Sequence, residues 1–171
     1  FAGVRENPTS RLIHRLQELQ SSDPPSCCVE HTHLLVLETA AACVDEAIEE
    51  KFRPWVEEAQ KQLEEEGDEE TVLFLVHLGV HARASGFLLE QVACNEMTFS
   101  SPDMRGLLAV QQPICSNSPF QNELSCGANL QSLAEKLLQE GFPVEVSSDA
   151  GRFICNYIYY QSLSMCQNMD A

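Results

Sequence analysis

Residues 143–160 read Pro143-Val-Glu-Val-Ser-Ser-Asp-Ala-Gly-Arg-Phe-Ile-Cys-Asn-Tyr-Ile-Tyr-Tyr160, and this stretch predicts a strand, a tight turn and a helix in succession. Val144 and Val146 alternate with polar residues, which is the period of a half-buried strand. Ser148 and Asp149 are typical of turns and helix N-caps, because their side-chain oxygens accept hydrogen bonds from free backbone N–H groups. Aromatic and aliphatic residues then recur at helical spacing, which predicts the helix.

Cys155 lies near the start of that predicted helix, just beyond the end of a strand. The unpaired N–H groups and the positive dipole end of a helix N-terminus favour a thiolate, which is the nucleophilic form of cysteine. Cys155 is therefore a candidate nucleophile. A buried structural cysteine is the alternative, and the residues alone leave both open.

Three further apolar runs predict strands at residues 33–37, 71–77 and 87–92. The run at 71–77 is the most apolar of them, and we expect it at the centre of the sheet. Sites in open α/β sheets form at the carboxyl ends of strands, which is where Cys155 is expected.

Helical patterns alternate with these strands. One helix is expected to start at Asn7 and Pro8, with Asn7 as its N-cap. The acidic residues 40–66 are mostly helical, with a break or kink at Pro54, and a further helix is expected over 129–140. The alternation predicts an α/β fold: a three-layer αβα sandwich around a mixed, mostly parallel central sheet, in a single domain spanning residues 1–171.

Composition excludes several classes of partner. The formal net charge of −16 argues against binding to nucleic acid or to an anionic membrane surface. No apolar run approaches the length of a membrane span. The eight cysteines are scattered and no secretory signal is recognisable, so we expect reduced thiols in a cytosolic protein.

A metal site is a weak alternative. Cys27, Cys28, His31 and His33 form a dense group of zinc-type ligands. The adjacent cysteines lack the two-residue gap of structural zinc sites, so no metal is expected.

Residues 148–160 resemble the nucleophile motif of the pyroglutamyl-peptidase I family of cysteine peptidases. Two more segments resemble family motifs and occur in the family's order. Residues 78–80 with 88–95 resemble the glutamate motif, and residues 1–9 resemble the start of the substrate pocket, in a form most like plant members.

The resemblance implies an omega peptidase that removes N-terminal pyroglutamate from peptides without a cofactor. It implies that Cys155 is the nucleophile of a Cys-His-Glu triad and that Glu90 orients the histidine. It also implies a set of substrate-binding residues: Phe1, Asn7, Phe153 and Ile154. The N-cap role explains Asn7 equally well.

The histidine of the triad is missing from its expected place. All five histidines precede Cys155, whereas the family's catalytic histidine lies beyond the nucleophile helix. The opening strand of the family is also absent before Phe1. We therefore expect a fragment cut at both ends that is poorly stable and inactive on its own. Detectable release of pyroglutamate from a cooperatively folding sample would refute that expectation.

One further departure concerns charge. Many family members carry a basic residue after the glutamate motif, and that position resembles Ser100 here. This departure and the missing histidine favour an alternative: a non-catalytic relative, or inactive fragment, that binds pyroglutamyl peptides without cleaving them.

Overall fold

The computed structural model describes residues 7–22, 33–66, 74–81 and 83–169. These residues form two compact units. One comprises the described residues among Phe1–Leu37 and Leu78–Ala82, and the other those among Glu38–His77 and Arg83–Ala171. The single domain remains a prediction.

The first unit contains helix α1, Pro8–Ser22. Asn7 caps it as predicted, because its Oδ1 accepts hydrogen bonds from the Thr9 N–H at 3.0 Å and the Thr9 hydroxyl at 2.7 Å. Residues 33–37 form no strand, so that prediction is wrong. An apolar run needs a neighbouring strand with free N–H and C=O groups, and none of the described residues pairs with this one.

The second unit opens with one continuous helical segment. Helix α2, Ala41–Ala47, leads into a π-helical turn, Ile48–Phe52, and then into helix α3, Arg53–Glu66. Pro54 lacks an N–H and its ring crowds the preceding turn. The wider π turn lies immediately before it, and the helix continues past the proline instead of breaking.

Four short strands form two pairs in this unit. Strand β1, Phe87–Glu90, runs parallel to β4, Val144–Ser147. Strand β2, Val92–Cys94, runs antiparallel to β3, Glu123–Ser125.

The strand predicted over residues 87–92 is thus divided at Gln91. The Gln91 N–H donates to the Ser147 carbonyl at 2.7 Å, and its own carbonyl accepts from the Cys126 N–H at 2.9 Å. Gln91 therefore links the parallel pair to the antiparallel pair.

The expected central strand at 71–77 is also corrected in its described part. Residues 74–77 form no strand, and the side chains of Phe74 and Val76 are 70% and 72% exposed. Hydrophobicity predicted burial here, but burial also requires a packed neighbour, and the strands of the described sheets pair elsewhere.

Two helices complete the second unit. Helix α4, Leu130–Gln139, is capped by Asn129, which accepts from the Ser132 N–H at 3.0 Å. Helix α5, Ile154–Met169, contains Tyr157, whose hydroxyl donates to the Asp45 carboxylate of α2 at 2.7 Å. Among the described helices, none is both long enough and apolar enough to cross a bilayer.

His77 should make the second unit sensitive to mild acid. Its ring packs against Phe52, with centroids 5.9 Å apart, and its Nε2 lies 2.9 Å from the Ser162 hydroxyl. Burial lowers the pKa of His77 from 6.5 to about 4. The unfolded chain therefore binds a proton more readily between these values, so the contribution of His77 is lost as pH falls through this window. We expect a loss of up to about 3 kcal/mol in the free energy of unfolding.

Urea unfolding at pH 7 and at pH 4.5 measures this loss. Because carboxyl groups protonate in every variant, the informative quantity is the difference between wild type and His77→Gln. The variant should lose less stability on acidification. Equal losses in the two proteins would show that His77 is not the sensitive group.

Candidate active site

The turn before α5 is shaped by two polar side chains. Asp149 Oδ1 accepts from the Gly151 N–H at 3.0 Å, and the Asp149 N–H donates to the Ser147 hydroxyl at 3.2 Å. Gly151 has φ = +76°, a left-handed conformation that suits glycine. Asp149 therefore stabilises the turn and does not cap the helix, which begins only at Ile154. Cys155 is the second residue of α5, near its start as the sequence predicts.

The ends of β1 and β4 bring Glu90 to the same region. Glu90 pairs with Ser147 in the parallel register, so the strand that carries the acid and the strand that leads to the nucleophile turn end side by side. Tyr159, one helical turn beyond Cys155, donates its hydroxyl to the Glu90 carbonyl at 2.7 Å. Burial raises the pKa of the Cys155 thiol and of the Tyr159 hydroxyl, and the negative charge of Glu90 raises both further. The two candidate catalytic residues therefore lie on the same side of the unit.

The Glu90 carboxylate has an unused acceptor. Its Oε2 is buried and receives no hydrogen bond from the described residues. A buried carboxylate oxygen without a donor is costly, so such an atom in a folded protein calls for an explanation. An N–H donor such as an imidazole would satisfy it.

The electrostatics of the thiol differ from the sequence-based expectation. Cys155 is exposed, yet the protein atoms packed around its sulfur withhold water and raise the pKa of the thiol; the like charge of Glu90 adds to the rise, and the Cys155 N–H opposes it. Desolvation therefore outweighs the helix N-terminus among the described residues. A cationic partner would be needed to reverse the balance.

Asn156, next to the nucleophile, holds the first turn of α5 against β2. Its Oδ1 accepts from the Cys94 N–H at 2.9 Å, and its Nδ2 donates to the carbonyls of Cys94 at 2.8 Å and Glu96 at 3.1 Å. The residue is completely buried.

An aromatic pair lies beside the nucleophile turn. Phe153 packs edge-on against Phe99, with ring centroids 4.9 Å apart, and the Thr98 N–H donates to the Arg152 carbonyl at 3.0 Å. Ile154 is buried in the helix core. Phe1 lies outside the described residues, and Asn7 belongs to the other unit.

Cations near the turn are already engaged. Arg152 contacts Asp149 at 2.8 Å and Glu96 at 3.4 Å. Ser100, which the resemblance matches to a basic residue of the family, is exposed. Arg105 pairs with two glutamates, Glu38 and Glu46.

The described parts of the chain contain no group of three or more His, Cys, Asp or Glu residues that could hold a metal ion. Three of the four proposed zinc ligands, Cys27, Cys28 and His31, lie outside those parts. No disulfide joins any two of the six cysteines that the structure describes.

A family model described as pyroglutamyl peptidase matches residues 21–170, which include Glu90 and Cys155. The chain belongs to the pyroglutamyl peptidase family. It is thereby a peptidase of the cysteine class.

Individual relatives agree with this family. The chain is 29% identical over 161 residues to a pyrrolidone-carboxylate peptidase of Gloeobacter violaceus, covering 94% of this chain and 67% of the relative. It is 24% identical over 163 residues to the Pyrococcus furiosus enzyme of that name, again covering 67% of it. The crystal structure of the Fervidobacterium islandicum pyrrolidone carboxyl peptidase superposes with a TM-score of 0.76 at 26% identity, covering 98% of this chain and 69% of that one. The predicted α/β fold class is confirmed.

Sequence reasoning missed three residues of this candidate site: Phe99, Asn156 and Tyr159. Asn156 carried a usable signal, because a poor helix former stands directly between Cys155 and Tyr157 in an otherwise apolar helix start. Phe99 carried none, since its ring partner is 54 positions away in the sequence.

Proposed function

We propose that this chain is a cysteine exopeptidase that removes N-terminal pyroglutamate from peptides. The observation that carries the proposal is the buried, unpartnered Oε2 of Glu90 beside the helix start that bears Cys155. An acid with a spare acceptor next to a nucleophile is the arrangement that a Cys-His-Glu triad requires. The family and the names of the relatives supply the substrate class.

The Cys155 thiolate attacks the carbonyl carbon between pyroglutamate and the next residue, and the C=O π electrons move to oxygen. Backbone N–H groups of the first turn of α5, which have no intrahelical acceptor, stabilise the oxyanion. An imidazole receives the thiol proton and returns it to the leaving amine as the C–N bond breaks. Water then hydrolyses the thioester, releasing pyroglutamate and restoring the thiol.

The resemblance implies that the imidazole belongs to a histidine beyond the nucleophile helix, which is none of the five in this sequence. His77, the histidine described in the second unit, contacts Ser162 and Phe52. Glu90 Oε2 accepts the imidazole N–H, and the resulting imidazolium offsets the like charge that raises the pKa of Cys155.

Pyroglutamate is a small neutral lactam, which suits apolar walls with a few hydrogen-bonding groups. The edge-on pair Phe99 and Phe153 supplies one such wall. We assign Ile154 to the support of that wall. The binding roles of Phe1 and Asn7 remain predictions from the family resemblance. The proposed substrates are peptides with N-terminal pyroglutamate, and the proposed location of the reaction is the cytosol.

A chloromethyl ketone built on pyroglutamate tests this assignment without requiring a complete catalytic cycle. We expect it to alkylate Cys155 in preference to the other cysteines, as read by peptide mass spectrometry. Excess free pyroglutamate should protect, and an N-acetylglycyl chloromethyl ketone should react without preference. Equal labelling of Cys155 and Cys166 by the pyroglutamyl reagent would contradict the proposed site.

A non-catalytic binding protein is the second candidate. It is supported by the raised pKa of Cys155 and by Ser100 at the basic position. Calorimetry, together with the alkylation experiment, separates the two functions. A binding protein should bind a pyroglutamyl amide saturably, and the chloromethyl ketone should not alkylate its Cys155 preferentially.

A further inference from the structure

We propose that Asn156 is the positioning residue of this site: its carboxamide clamps the first turn of α5 to the end of β2 and thereby sets the place of the nucleophile relative to the acid. The inference rests on the proposed function, in which Cys155 and Glu90 act together.

The clamp uses both polar atoms of one short side chain. The single acceptor and both donors of the amide engage the backbone of Cys94 and Glu96 at 2.8–3.1 Å. With a completely buried side chain, these bonds have no competition from water, so losing one partner would leave a buried polar group unsatisfied.

The residues that the clamp joins explain its significance. Asn156 directly follows Cys155 in the sequence, and Cys94 lies four positions after Glu90. Between Glu90 and Cys94, the backbone of Gln91 is hydrogen-bonded to both strand pairs. One side chain therefore connects the backbone that carries the nucleophile to the backbone that carries the acid. Since the thiol must approach its partners within a few tenths of an ångström, a loosened first turn would cost turnover more than it costs the fold.

Asn95 provides a matched comparison. It is equally buried, and its amide also bonds only to backbone, accepting from Cys115 and donating to the carbonyls of Cys115, Ser118 and Pro119. It anchors the loop at 115–119, and none of its side-chain hydrogen bonds goes to α5. A general structural role predicts similar consequences for the two asparagines, whereas a positioning role predicts that only Asn156 alters the thiol.

The test is the pH dependence of Cys155 alkylation by iodoacetamide in Asn156→Ala and Asn95→Ala, with exposed Cys166 as the internal reference. In Asn156→Ala the first turn loosens, water reaches the sulfur and Glu90 moves away. The pKa of Cys155 should then fall towards its ordinary value, and alkylation at pH 7.5 should accelerate about three- to tenfold. Alkylation of Cys166 should not change, and neither cysteine should change in Asn95→Ala.

An unchanged Cys155 profile in a folded Asn156→Ala variant would overturn the proposal, as would an equal change in Asn95→Ala. If Asn156→Ala does not fold, Asn156→Gln serves as the test, because it keeps the amide but displaces the helix start. Iodoacetamide should then alkylate Cys155 at least twofold faster in Asn156→Gln than in Asn95→Gln. If both Asn156 variants fail to fold while the Asn95 variants fold, the clamp belongs to the fold and the positioning role is wrong. Because the readout is thiol chemistry, failure of the peptidase assignment would appear separately, as absent pyroglutamyl labelling with an intact Asn156 effect.

Discussion

Replacement of Cys155 by alanine is expected to abolish reaction with pyroglutamyl substrates while leaving the fold intact. No other described thiol occupies the start of a helix beside a buried carboxylate. Without the sulfur no thioester can form, so the rate of acylation by a pyroglutamyl thioester should fall roughly 10³-fold or more. Labelling by the pyroglutamyl chloromethyl ketone should fall to the level of the surface thiols.

The matched control is Cys166→Ala, which removes another exposed thiol from the same helix. Both variants should unfold in urea within about 0.5 kcal/mol of wild type, since exposed substitutions seldom cost more. Retained labelling in Cys155→Ala, or its loss in Cys166→Ala, would show that the nucleophile has been misassigned.

Replacement of Glu90 by glutamine should change the free energy of unfolding, the pKa of Cys155 and the turnover in different directions. Removing a half-buried charge, one of whose oxygens is buried without a hydrogen bond, should raise the free energy of unfolding by about 1 kcal/mol. It should also lower the pKa of Cys155, because the like charge that helps to raise it is gone. The thiol should therefore alkylate faster near pH 7.5. In a form of the protein that carries the triad histidine, turnover should nevertheless fall roughly 10²- to 10⁴-fold, because the imidazole loses the group that orients it.

Glu145→Gln is the control for charge alone. It removes one negative charge from β4, the strand paired with β1, at an exposed position. We expect no more than small changes in stability, alkylation and turnover. The role of Glu90 would be refuted if Glu90→Gln lost stability and kept its activity.

Local patterns predicted the site better than they predicted the sheet. The strand Val144–Ser147, the sharp turn at Gly151 and the position of Cys155 near a helix start all depend on neighbouring residues, and they were predictable. The division of the strand at Gln91 was not. Its hydrogen bonds go to Ser147 and Cys126, which are distant in sequence, so no local pattern encodes them.

The pKa of the Cys155 thiol likewise depends on residues that are distant in the sequence. A helix start favours a thiolate, and the sequence places Cys155 there. The sequence does not reveal that desolvation and Glu90 outweigh this effect and raise the pKa of Cys155. Asn156 could have been flagged as a polar residue in an apolar stripe, but the backbone groups it binds lie about sixty positions away.

Acylation by an activated pyroglutamyl thioester tests the central claim most directly, because a good leaving group lessens the need for a general acid. After incubation and peptide mapping, we expect the pyroglutamyl group on Cys155, none in Cys155→Ala, and no acylation by the corresponding acetylglycyl thioester. Pyroglutamyl groups distributed over the exposed cysteines, or absent from Cys155, would contradict its assignment as the nucleophile of a pyroglutamyl peptidase.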